Sequence, residues 1–262
     1  MTPSYLTQKA IELVNREYKY YQHKPVSVVF DHISKCAGTS VASHLKMYYP
    51  YRKTFTIEGD APAQSVRSFN ELSDRKRKSY TLVHGHLARG LFSNVAEGRK
   101  IVTVLRDPIA RLISHYYYVL SNEKHALYKR VKESKIQLAD YSISDLSPEL
   151  QNWYVSYFSD LTGKEVSNDP EGAIEVAFQE LLQRYDLIGF QESLSSFLEQ
   201  LNILLHLPKH ASTTPHKNLT LNKPAHKSID SETLKRLKDA NHLDIQLFER
   251  LLNYSENGLI SK

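Results

Sequence analysis

Apolar and polar positions along the chain alternate between short runs and helical spacings. Val26 to Ile33 is an apolar run that ends in the small, polar stretch Ser34-Lys35-Cys36-Ala37-Gly38-Thr39-Ser40, after which Val41, Ala42 and Leu45 resume at helical spacing. This pattern predicts a buried strand, a tight turn and the start of a helix reaching about Tyr49. Tyr80 to His86 reads as a second strand and its end, Lys100 to Arg106 as a third, and Asp186 to Phe190 as a fourth. The unbroken apolar run of the third suits a strand buried on both faces. Asp107-Pro108 opens a helix, with Asp as N-cap and Pro at the first helical position, and it runs through Tyr116-Tyr117-Tyr118. Residues 4–18, 171–184, 193–206 and 231–254 are further helices, and 123–160 reads as mostly helical with a break at Ser147-Pro148. Residues 50–78 and the Pro208–Ser228 stretch read as polar, irregular segments.

Strands that alternate with helices predict an α/β fold: a parallel sheet of four to five strands flanked by helices on both faces, in one domain over residues 1–262. Ligands of such sheets bind beyond the carboxyl ends of the strands. Three strands end there in reactive side chains: Lys35 after the first, His84 and His86 after the second, Arg106 after the third.

Composition narrows the field. A chain that is 41% hydrophobic and 24% charged is ordinary for a water-soluble globular protein. The net charge of +5 suits an anionic ligand better than wholesale nucleic-acid binding. One cysteine, Cys36, excludes an internal disulfide framework. The N-terminal stretch is polar and amphipathic rather than a signal peptide, and no apolar run approaches the about 18 residues of a membrane span. The expected location is therefore cytoplasmic.

The turn after the first strand combines backbone N–H groups at a helix N-terminus with the Lys35 charge, which suits a phosphate-like anion. The alternative is an ordinary turn with a helix cap at Thr39 or Ser40. The Walker pattern is absent, because Lys35 precedes Gly38 by three residues instead of following it. Arg106 offers a planar fork for phosphate, and Ser114, about two helical turns on, a hydroxyl; the alternative pairs Arg106 with a carboxylate and leaves Ser114 exposed. If the second strand continues through them, His84 and His86 point to one side. They suit a general base, a structural pair, or half of a metal site that lacks further ligands in sequence. The basic run Arg75-Lys76-Arg77-Lys78 is either a solvated loop or a patch that steers an acceptor, and Trp153 suits the core better than a ligand contact.

KCAGTS after the first strand, HGH after the second and VLRDPIARLISHYYY after the third together resemble the sulfotransferases that use 3′-phosphoadenosine-5′-phosphosulfate (PAPS), in particular the family-2 type that includes the heparan sulfate 2-O-sulfotransferases. The likeness runs from about Val26 to Tyr118 and resumes weakly through TTPHKNLT and the Asp230–Tyr254 helices. It implies a P-loop-like fold and sulfuryl transfer to an acceptor hydroxyl, with release of 3′-phosphoadenosine-5′-phosphate (PAP) and no metal. Lys35, Cys36, Ala37, Gly38, Thr39 and Ser40 would hold the 5′-phosphosulfate, with Lys35 stabilising charge on the bridging oxygen. Arg106 and Ser114 would hold the 3′-phosphate. His86 would be the base and His84 its support or a substrate contact. Lys217 and Thr220 would belong to a loop closing over the nucleotide. Cys36 stands where the family commonly has threonine, so a weaker thiol contact, reactive or simply packed, replaces a hydroxyl. The acceptor would be a saccharide or a lipid alcohol. A nucleotide-dependent kinase of related ancestry and a non-catalytic nucleotide-binding protein are the competing readings.

Overall fold

The computed structural model describes residues 5–94, 98–143, 145–208 and 229–262, with side chains from residue 8 onward. In chain order its elements are α1 (Tyr5–His23), β1 (Val28–Asp31), α2 (Gly38–Lys46), β2 (Thr54–Ile57), α3 (Pro62–Asn70), α4 (Asp74–Ser79), β3 (Leu82–Gly85), β4 (Lys100–Leu105), α5 (Pro108–Ser121), α6 (Tyr128–Glu133), α7 (Trp153–Ser159), α8 (Gly163–Asn168), α9 (Pro170–Arg184), β5 (Leu187–Phe190), α10 (Leu194–Leu204), α11 (Ser231–Ala240), α12 (His242–Tyr254) and β6 (Leu259–Ser261). They form two compact units, one drawn from residues 1–105, 185–217 and 257–262, the other from 106–184 and 218–256.

The first unit is built on a six-stranded sheet in the order β2-β3-β1-β4-β5-β6. Strands β1 to β5 pair in parallel and β6 closes the edge antiparallel to β5. β1 lies between β3 and β4, so the chain leaves β1 toward one side of the sheet and later returns on the other. That reversal is where α/β sheets open a crevice at the strand carboxyl ends. Alternation along the strands fills two cores. Val28 and Phe30 pack with Leu82, Val102, Leu187 and the apolar faces of α2 and α10. Val29 and Val83 face the other way, onto Ile57, Phe69 and Leu91. Each such fully buried side chain contributes about 1.5–3 kcal/mol relative to exposure, which pins the register of the central strands and with it the residues that follow them.

Two of the six strands lie outside the sequence reading. β2 falls in the segment read as irregular and is only half-buried, so it lacks a continuous apolar run. β6 is three residues long. The same 50–78 segment also holds α3, with Pro62 in its first turn, and α4, capped by the Ser73 hydroxyl accepting from the Lys76 amide. The basic run Arg75–Lys78 is thus most of α4, which leads into the amino end of β3, the end remote from His84. Its placement favours a solvated face over an acceptor-steering patch.

The second unit is helical. Ile109, Leu112, Ile113, Tyr116 and Val119 form the buried face of α5 and pack with Val131, Leu138, Tyr141, Leu150 and Leu237. The Asp107 carboxylate accepts from the Ala110 amide at 2.7 Å, with Pro108 in the first turn, as the sequence pattern predicts. Residues 123–160 are less helical than expected: among the described residues there, α6 and α7 are the α-helices, with turns and short 3-10 segments beside them. Leu138, Tyr141 and Leu150 serve there as separate anchors in the core, so their spacing mimics a helix face without making one. Trp153, the first residue of α7, is partly buried and packs on Tyr157 at 5.0 Å between ring centroids. α7 and α12 cap each other. Asp244, fully buried, accepts from the Tyr154 and Val155 amides at 3.0 and 2.9 Å. Asn152 accepts from the Leu243 amide at 3.1 Å in return. Neither helix has a cap of its own side chain, so each borrows the acceptor that its exposed N–H groups require.

Candidate functional site

In the first unit the chain leaves β1 through His32 to Ala37 and enters α2 at Gly38. Lys35 and Ala37 both take left-handed backbone conformations, with φ of 64° and 61°. A non-glycine residue in that region costs on the order of 1–3 kcal/mol and persists where surrounding structure or function demands it. Ala37 occupies the cap position of α2 and makes no side-chain cap hydrogen bond. The cap at Thr39 or Ser40 that the alternative required does not form: those residues are already inside the first helical turn. The N-cap residue of α2 thus supplies no side-chain acceptor to its amides, and Lys35 brings its charge in the same turn. The Cys36 thiol is buried and donates to the Ser34 carbonyl at 3.4 Å, which places it among the packed thiols.

β3 ends at Gly85, whose φ is +140°, and His86 lies in the following turn. Strand alternation therefore does not carry through the pair, and the two histidines have different surroundings. A β-carbon on Gly85 would sit 2.5 Å from the Ile57 carbonyl oxygen, so glycine alone permits the bend that releases His86 from the strand. His84 is 4% exposed, and its Nε2 meets the Thr56 hydroxyl at 3.1 Å. Burial, with Lys46 and His86 nearby, pushes its imidazole down to about 3, so it is neutral at neutral pH. His86 is more accessible and its Nδ1 lies 2.7 Å from the His32 carbonyl oxygen. A carbonyl only accepts, so Nδ1 carries the proton and the neutral ring has its lone pair on Nε2.

The residue that sequence reasoning passed over is His32. Its ring stacks on His86 at 4.3 Å between centroids and 30° between planes, and on Phe30 at 5.6 Å and 14°. Burial first, then the neighbouring His86, His84, Lys35 and Lys46, hold it well below the ordinary histidine range. The available signal was positional: Phe30 and His32 are two apart at the end of a strand, hence on one face. Lys46 and Thr56 also went unread, being an ordinary helix-end lysine and a residue of the unrecognised strand.

The structure thus gathers Lys35, the α2 N-terminus, His32, His84 and His86 in the first unit. Arg106 and Ser114 belong to the second. The Arg106 backbone exchanges hydrogen bonds with the Tyr154 hydroxyl, its N–H donating at 3.3 Å and its carbonyl accepting at 2.9 Å. Ser114 is 6% exposed on α5, so the reading that left it exposed does not hold. Lys217 and Thr220 lie outside the described residues. Among the described residues, no group of His, Cys, Asp or Glu is arranged to hold a metal ion, and no helix is long and apolar enough to cross a membrane.

A profile described as sulfotransferase family matches residues 19–254, nearly the whole chain. The chain belongs to the sulfotransferase family. Heparan sulfate 2-O-sulfotransferase 1 of Gallus gallus is 26% identical over 196 residues, covering 69% of this chain and 55% of that protein. The Mus musculus protein of the same name is 26% identical over 200 residues, covering 70% and 56%, and the Homo sapiens one 25% over 147 residues, covering 53% and 41%. The chain thus spans about half the length of the curated relatives it matches.

Proposed function

We propose that this sulfotransferase-family chain transfers the sulfuryl group of PAPS to a hydroxyl of a saccharide acceptor. The observation that carries the reading is His86, set with Nδ1 protonated against the His32 carbonyl and Nε2 basic, in the same unit as Lys35 and an uncapped helix N-terminus. The donor chemistry fits these residues: a doubly anionic 5′ end is matched by backbone N–H groups, a helix dipole and a lysine. Family membership supports PAPS as the donor, and the names of the relatives, heparan sulfate sulfotransferases, support a saccharide as the acceptor.

When bound, PAPS supplies an activated sulfur–oxygen bond. His86 Nε2 takes the proton of the acceptor hydroxyl as that oxygen bonds to sulfur. Lys35 and the α2 amides stabilise the charge left on the bridging oxygen as the old bond breaks, and PAP departs. Sulfuryl transfer, like phosphoryl transfer, asks a protein mainly for alignment and charge stabilisation. A positioned base contributes about 10²–10⁴-fold. His84, held neutral and buried, supports the wall of the site and accepts no proton at neutral pH. Arg106 and Ser114 take the 3′-phosphate, the group that a guanidinium fork and a hydroxyl suit. Lys217 and Thr220 are assigned to the nucleotide by resemblance alone.

Calorimetric titration with PAP, and separately with ATP–Mg²⁺, tests the donor class. Binding of PAP with little binding of ATP is the expected result; preference for ATP returns the kinase reading. With PAPS and desulfated heparan sulfate, His86→Ala and Lys35→Ala each lose turnover, Lys35→Ala far more than His84→Ala. Equal, mild losses for the two would reject the role of Lys35.

A further inference from the structure

The His32 ring lies against two functional elements at once. It stacks on His86 and on Phe30, a fully buried residue of the sheet core. The ring also covers Gly38, the first residue of α2: a β-carbon there would come within 1.8 Å of His32 Cδ2 and 2.0 Å of Nε2. Glycine at Gly38 is thus what lets the imidazole reach the turn. His32 is joined to His86 a second time, since its own carbonyl accepts from His86 Nδ1. We propose that His32 is a positioning residue: its ring, wedged between the Phe30 core face, His86 and Gly38, fixes the His86 imidazole in one tautomer at a set place beside the anion-holding turn. The role rests on the reading of His86 as the base.

Three features favour this over a catalytic part for His32 itself. Two rings stack on it, and its Cδ2 and Nε2 atoms lie against Gly38. After burial itself, the titratable groups that act on it, His86, His84, Lys35 and Lys46, are all bases, and each opposes a proton on His32. A neutral flat ring against His86 has a use of its own. When His86 takes a proton, an aromatic face accommodates the cation, while the carbonyl keeps it oriented.

The substitutions His32→Ala and His32→Phe separate a wall from a reacting group. In ¹⁵N-histidine-labelled protein, long-range proton–nitrogen spectra report the His86 tautomer directly, with or without an acceptor. The expected result is a single Nδ1–H form in the wild type and in His32→Phe, and a mixture of both tautomers in His32→Ala. PAP affinity within a few-fold of wild type in both variants shows that the turn still folds. With PAPS and desulfated heparan sulfate, kcat falls by about 10–100-fold in His32→Ala, the scale of a small misplacement of a reacting group. His32→Ala/His86→Ala is no slower than His86→Ala alone. An unchanged His86 tautomer in His32→Ala overturns the proposal, as does a His32→Phe protein as impaired as His32→Ala. Failure of the wild type to bind PAP refutes the sulfotransferase reading instead and leaves the tautomer result standing.

Discussion

The burial of His84 sets a specific dependence of stability on pH. In the folded chain its imidazole is held at about 3, against 6.5 when unperturbed. Between those values the unfolded chain binds a proton that the folded one refuses. A base depressed by folding favours the native state above its unfolded value, and that advantage is lost as the pH falls. From about pH 7 to about pH 5, the single-site linkage integral over these two values comes to about 2 kcal/mol of lost stability. For a chain of this size that is roughly 4–8 °C in the melting temperature. His84→Gln keeps a partner for the Thr56 hydroxyl and removes the titration. Calorimetric melting of both proteins at the two pH values isolates the effect, because His32 and the surface groups remain in each. The wild type should lose about 4–8 °C more than His84→Gln on acidification. Equal losses would mean that His84 takes up its proton in the folded state and would refute the account of its burial.

Two other substitutions probe the second unit. Arg106→Ala should weaken PAP by about 10–100-fold, the scale of a charge-assisted hydrogen bond, and leave adenosine 5′-phosphosulfate, which lacks the 3′-phosphate, nearly unaffected. A similar loss for both ligands in calorimetry would reject that assignment. Asp244 titrates with the opposite sign to His84. Burial raises it to about 6 despite the counteracting Arg111 and the α7 amides, so its stabilising share is present in acid and lost as the pH rises through about 6. Hydrogen exchange at the Tyr154 and Val155 amides should therefore gain about 1 kcal/mol of protection from about pH 7 to about pH 5 relative to Asp244→Asn, after correction for intrinsic rates. Equal pH dependence in the two proteins would rule this out.

The central strands and the helix after Asp107 were legible because single local signals sufficed: an apolar run too short for a helix, and an Asp-Pro cap. β2 and β6 were not, because an edge strand buries one side only and its residues are those of a loop. The 123–160 segment failed for the converse reason, since apolar residues that anchor separate turns are spaced like a helix face until their partners are known. Lys35, His84, His86 and the turn were legible as residues at the ends of strands. The different surroundings of the two rings were not, because they depend on long-range packing. His84 and His86 are identical in sequence terms and separated by Gly85 alone, yet that bend puts one ring in the core and the other against the His32 carbonyl. His32 shows the limit most clearly. A histidine near the end of an apolar run signals only the face it shares with Phe30; that Gly38, six residues on, leaves room for its ring and that His86, far along the chain, stacks on it are seen only in the fold. Local chemistry thus names the groups that can react, and long-range packing sets the surroundings in which each would have to do so.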